Sequence, residues 1–244
     1  MAGARDRRAV PVRPGRHRLN RQPMHNKEQG TTMTEEQTLS ARQQALVPVA
    51  AFAATGDLAR LGPALRRALD AGLTVSETKE TLVQMYAYAG FPRSLNALGE
   101  LMKVVSERKQ QGIDDAPGAE PGPAPTGDEL LAAGTANQTR LSGAPVKGPL
   151  FDFAPAIDFF LKAHLFGDIF SRDNLVWRSR ELATVSALSA MTGTEAQLSA
   201  HIRISMNVGL TAPQLRQAAA ILGKEVDAAA GRRAGDAIDR LQSP

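Results

Sequence analysis

Arg180 and Glu181 stand together at the head of the run Glu-Leu-Ala-Thr-Val-Ser-Ala-Leu-Ser-Ala-Met, and His201 follows among apolar neighbours Leu198 and Ile202. These three residue types can do proton chemistry on an acid. A guanidinium holds a carboxylate bidentately. An imidazole exchanges protons near neutral pH. A neighbouring carboxylate orients one or the other. On composition alone, a lone histidine such as His201 on an apolar face is more often a hydrogen-bonded core histidine than a catalyst. His164 and Asp168 lie four residues apart, on one face of a helix if the segment is helical. They can pair with each other, but two ligands without a His-x-x-x-His companion make a poor metal site, and no metal is expected.

Two further clusters have the composition of a pocket wall. Tyr86-Ala-Tyr88-Ala-Gly-Phe-Pro-Arg-Ser-Leu-Asn96 carries two tyrosines and an asparagine around a Gly-Phe-Pro break. Proline there cannot continue the preceding helix, so the chain is re-aimed. Tyr88 and Asn96 are the candidate substrate contacts. Phe151, Phe153, Phe159, Phe160, Phe166 and Phe170 are six of the eight phenylalanines. They read either as a clasp over a helical bundle or, at Phe166 and Phe170, as the apolar wall of a site.

The elements that must position these residues are helices. From Leu39 to Val105, and again from Leu150 to Leu241, apolar residues recur at three- and four-residue spacing without strand-like alternation. The run Glu181–Met191 is nearly uncharged beyond its first residue, which predicts a helix buried on most sides. Residues 39–105 and 150–241 are therefore two helical units. Residues 106–149, rich in proline and glycine, read as a linker that wraps the surface or reaches between subunits. The units repeat. Ala68-Leu-Asp-Ala-Gly72-Leu-Thr74 aligns with Ser205-Met-Asn-Val-Gly209-Leu-Thr211 at an offset of 137 residues. Each segment predicts a helix closed by a left-handed glycine. The next helix would start at a threonine, boxed by Glu77 or Gln214 three residues on.

Composition sets bounds. The 244 residues include no cysteine, which excludes disulfides, iron–sulfur clusters and thiol nucleophiles. No apolar run approaches the roughly 18 residues a membrane span needs. The net charge of +4 belongs to the first thirty residues, which carry +6, while the rest sums to −2. Residues 1–32 are expected to be a disordered basic tail, with Met33 the more natural start and nucleic acid not the expected partner. The arginines at 7 and 8 have no apolar stretch after them, so a cytoplasmic location is expected rather than a secreted one.

The stretch His164-Leu-Phe-Gly-Asp168-Ile-Phe, with Arg180, His201 and Asn207-Val-Gly209-Leu-Thr, resembles the carboxymuconolactone decarboxylase family. That family also contains the alkyl hydroperoxidase D-like proteins. The run from Tyr88 to Asn96 is similar to its second-half motif. The resemblance implies an all-α fold of two tandem alkyl hydroperoxidase D-like units, assembled as a ring, with a trimer of tandem chains expected. It implies a cofactor-free lyase acting on a small lactone or carboxylic acid. His201, Arg180, Glu181 and His164 would then be catalytic, and Tyr88, Asn96, Phe166, Asp168 and Phe170 would contact the substrate. The peroxidase branch uses two cysteines; Thr194 and Gln197 stand in their place, so thiol-dependent peroxidase chemistry is closed. A scaffold that kept the fold and lost the chemistry is the alternative. The halves are complementary: repeat one has Gln43, Gln44 and Ala64 where repeat two has Arg180, Glu181 and His201. Repeat two has Gly223 and Glu225 where repeat one has Tyr86 and Tyr88.

Overall fold

Local capping chemistry sets the helix boundaries. The computed structural model describes residues 37–242, so the basic tail and Met33 lie outside the described residues. Ser40 Oγ accepts from the Gln43 amide and the Ser40 amide donates to Gln43 Oε1 in return, which starts α1 (Ala41–Thr55). Gly56, at φ 75°, ends it. Asp57 caps α2 (Leu58–Asp70). Gly72, at φ 92°, turns the chain into Thr74, which boxes with Glu77 at the head of α3 (Val75–Gln84). After the short α4 (Tyr86–Ala89), Gly90 at φ 87° re-aims the chain into α5 (Phe91–Gln110), with Pro92 in its first turn. This is the expected Gly-Phe-Pro break.

The second half repeats the first. It comprises α9 (Trp177–Ala190), α10 (Glu195–Asn207), α11 (Ala212–Ile221), a π-helical turn at Leu222–Val226 and α12 (Ala228–Gln242). The 137-residue offset carries α2 onto α10 and α3 onto α11 residue for residue, and the start of α5 onto the start of α12. Gly209 at φ 94° and the Thr211–Gln214 box repeat the first hairpin. Every regular element among the described residues is helical.

α1 and α9, the equivalent helices of the two repeats, pack along each other at the centre. Leu46–Ala54 and Arg180–Ser189 are buried without interruption. Ala50, Ala51, Ala53 and Ala54 on α1 and Ala183, Ser186, Ala187 and Ser189 on α9 are small, which lets the two backbones approach closely. The remaining helices of both repeats pack around this pair over one apolar core.

The connector is more ordered than its composition suggests. It holds α6 (Asp128–Ser142), a helix of 15 residues, between extended stretches. The first stretch is fixed at its start by Arg108, which pairs with Asp115 at 2.8 Å and Asp70 at 2.9 Å. Its Ala116 and Pro117 carbonyls then accept the Val75 and Ser76 amides, two donors that α3 cannot satisfy internally. After α7 (Pro149–Phe153) and α8 (Pro155–Phe160) comes a π-helical segment, Leu161–Ile169, on which α6 packs. The crossing is close because Gly134 faces Gly167. A Cβ on Gly134 would sit 1.7 Å from the Lys162 carbonyl oxygen, closer than any side chain allows.

The phenylalanine-rich stretch does not close over the bundle as a clasp. Phe166 and Phe170 are buried in a second small core with Leu141, Leu165, Ile169 and Ile204. Phe153, Phe159 and Phe160 are exposed, Phe153 by 89%.

Candidate active site

α9 brings Arg180 and Glu181 into the core, both fully buried. Gly193, at φ 77°, lies in the short turn that leads from α9 to α10, and these two helices pack on each other. His201 on α10 thereby meets Glu181, its Nδ1 2.8 Å from Glu181 Oε2. The imidazole is 10% exposed and the carboxylate is not exposed at all. Glu181 Oε1 is buried without a hydrogen bond. A buried carboxylate oxygen in that state is costly unless something accompanies it.

Tyr88 completes this cluster from repeat one. Its ring meets the His201 ring edge-on, centroids 5.5 Å apart. Its hydroxyl lies beside Thr184 but makes no well-formed hydrogen bond. Thr184 Oγ1 is already engaged, donating to the Arg180 carbonyl at 3.0 Å and accepting from Gln84 at 2.7 Å. Burial pushes the Tyr88 phenol well above the usual tyrosine range, and the Glu181 charge adds to the effect. The group therefore stays protonated. The structure brings together the Glu181 carboxylate, the imidazole it holds and a phenol set against that ring. Such a set can take up, hold and return a proton.

Arg180 has a different place from the one its residue type suggests. Nη2 donates to Glu80 Oε1 at 2.9 Å and to the Arg172 carbonyl at 2.8 Å, and Nη1 donates to Gln84 at 3.2 Å. Both terminal nitrogens are thus engaged within the protein, so Arg180 does not present the free fork that a substrate carboxylate needs. Only Nε is unpaired. Burial lowers the guanidinium's pKa, and Glu80 opposes that shift. Arg172 joins the same carboxylate, with Nε 2.9 Å from each Glu80 oxygen, and Asn174 adds a third donor at 3.3 Å. This network ties α3 of repeat one to α9 of repeat two directly behind Glu181.

The other candidates divide. Phe170 lies 5.9 Å from the Arg180 guanidinium and 5.4 Å from Phe166, so both rings form core beneath the network rather than an open wall. His164 and Asp168 do pair, Nδ1 to Oδ2 at 2.6 Å, but at 48% and 45% exposure. Tyr86 lies against His164 at 5.5 Å. Asn96 is exposed on α5, because Ser94 and Ala97 take the inward positions of that turn.

Sequence reasoning missed Glu80, Gln84, Arg172 and Asn174. Glu80 and Gln84 are four apart in a helix whose Ser76, Thr78, Glu80, Thr81 and Gln84 are all buried. So polar a buried face must meet a polar partner.

Repeat one holds no second copy of the site. Gln44, the counterpart of Glu181, donates to the Leu39 carbonyl at 2.7 Å. Ala64 stands where His201 would be, and Glu225, the counterpart of Tyr88, pairs with Arg67 at 3.2 Å.

The sequence profile of the carboxymuconolactone decarboxylase family matches the chain twice, over residues 26–102 and 155–238. The chain belongs to this family. The two matches fall on the two helical repeats described above, as expected for tandem units of an all-α fold. The chain has no cysteine. Comparison with curated proteins found no match. No helix among the described residues is long and apolar enough to cross a membrane.

Proposed function

We propose that this carboxymuconolactone decarboxylase family member is a cofactor-free carboxy-lyase acting on a small unsaturated lactone or related carboxylic acid. The observation that carries the reading is the buried Glu181–His201 pair with Tyr88 set edge-on against the imidazole. In the reaction, the bond from carbon to carboxylate breaks and carbon dioxide leaves. The bond's electron pair passes into the conjugated carbonyl of the substrate. The anion is then protonated at carbon by His201 Nε2, and the proton is replaced from water. Glu181 holds Nδ1–H and stabilises the imidazolium while it is charged. The protonated Tyr88 hydroxyl donates toward the oxygen that gains charge. Arg180 acts as a positioning residue: its ion pair with Glu80 fixes the first turn of α9 and hence the Glu181 carboxylate.

Assembly belongs to the same proposal. Leu150, Phe153, Ile157, Phe159 and Phe160 are exposed together on α7 and α8. That is more apolar surface than one segment of a soluble monomer leaves uncovered. A homotrimer that covers this segment accounts for it.

The test is carbon dioxide release from a panel of carboxylated lactones and β,γ-unsaturated acids by the full chain. Release from none of them would remove the lyase reading.

A further inference from the structure

On another part of the surface, the first turn of α9 opens into a groove of about 660 Å3, lined by Arg140, Trp177, Arg178, Asn207, Val208 and Gln43 among others. This is the size range of small-molecule sites. No aspartate or glutamate lines it. Arg140 lies over the Trp177 ring at 4.9 Å, so the aromatic face fixes where that charge sits. The Arg178 guanidinium rests against Gly209, where a Cβ would come within 2.7 Å of Nη2. Neither guanidinium has a carboxylate partner among the described residues.

The internal repeat supplies the comparison that makes this informative. In repeat one, the stem of Arg42, one position along from the residue that aligns with Arg178, lies beside Gly72, the counterpart of Gly209. There the guanidinium is neutralised by Glu77, the boxing residue of α3. In repeat two, the boxing residue is Gln214, which keeps the cap but removes the charge. Gln214 and Arg178 line one adjoining hollow. Each hairpin thus has an exposed arginine beside its left-handed glycine, ion-paired to a carboxylate in one half and without one in the other, and the latter borders an open groove.

We propose that this groove binds a small organic anion. Its oxyanion group is held between Arg178 and Arg140, and its apolar body lies along Trp177 and Val208. Guanidiniums match carboxylate oxygens in pairs. Trp177 and Val208 give an apolar body a surface that an inorganic ion cannot use. The site is separate from the Glu181–His201 cluster and does not rest on the lyase reading.

The experiment is calorimetric titration of the full chain with benzene-1,2-dicarboxylate, benzoate and inorganic phosphate. Arg178→Gln, Arg140→Gln and Gln214→Glu are titrated in parallel. The dicarboxylate is expected to bind most tightly, and Arg178→Gln to weaken it about tenfold or more. Gln214→Glu retains Arg178 but supplies the carboxylate from within the chain, and is expected to weaken binding comparably. That change also forfeits the 3.0 Å bond from Gln214 to the Thr38 carbonyl, so melting temperatures are read beside the titrations. Unchanged dicarboxylate affinity in folded Arg178→Gln, Arg140→Gln and Gln214→Glu would overturn the site. Equal affinity for phosphate and the dicarboxylate would overturn its assignment to an organic anion.

Discussion

His201 Nδ1 and Glu181 Oε2 lie 2.8 Å apart across the α9–α10 hairpin, joining a slightly exposed ring to a fully buried carboxylate. The contact decides which histidine variants are informative. His201→Ala strands a buried carboxylate, and removing one partner of such a pair costs about 3 kcal/mol. His201→Asn keeps a donor near Glu181 and is expected to cost clearly less. Chemical denaturation of both variants checks this. Equal stability of His201→Ala and wild type would show that Glu181 does not depend on the pair.

Arg180 is expected to behave as a structural cation. Arg180→Leu leaves Glu80 with Arg172 and Asn174 alone, and should destabilise the fold by about 3 kcal/mol. Glu80→Leu alone should be similarly harmful. The double variant should recover part of the loss, because no buried charge is then left opposite an apolar group. Purely additive losses in urea titrations would contradict the coupling.

Much of this arrangement is legible in the sequence, and the exceptions have a common cause. The glycine–threonine hairpins, the repeat offset and the break at Gly90 depend on residues within a few positions of one another, and all three are seen in the structure. The nearness of Glu181, His201 and Tyr88 follows from superposing the repeats, since each half lacks what the other holds. The partners of Arg180 were not legible. Glu80 lies a hundred positions away, and no local pattern links it to Arg180. The helix inside the connector was hidden for another reason. Its glycine is required by the close crossing with Gly167, yet in sequence a glycine counts against a helix.

Tyr88→Phe removes a buried hydroxyl that lacks a well-formed hydrogen bond, so thermal stability should hold or rise slightly. The pH dependence is specific. The phenol is raised in the folded state, so its contribution is fully present below the unfolded value of about 10 and is lost as pH rises beyond it. Wild-type stability should therefore fall above about pH 10 by more than that of Tyr88→Phe. Parallel curves across pH 9–11 would contradict this.

Gly134→Ala should break the crossing of α6 over the π-helical segment, because the added methyl meets the Lys162 carbonyl backbone. The expected loss is about 2 kcal/mol, in the range of overpacked cores. Limited proteolysis should cut the variant faster than wild type within residues 111–148. Unchanged digestion would show that α6 is not held there.

Light scattering at micromolar concentration is expected to give a mass near three times the 26.0 kDa of one chain. Phe153→Glu with Phe160→Glu should lower it, because both side chains are exposed on the single chain. A single-chain mass for the wild type would contradict the assembly.

The most direct test of the central claim follows the proton that His201 is proposed to deliver. Candidate carboxylated lactones are turned over in deuterium oxide, and the product is examined by NMR for one deuterium at the carbon that lost the carboxylate. The account predicts carbon dioxide release with that single deuterium for wild type. It predicts that both fall sharply in His201→Asn, with substrate binding retained, because an anion left unprotonated recaptures carbon dioxide. Undiminished carbon dioxide release by folded His201→Asn would contradict it.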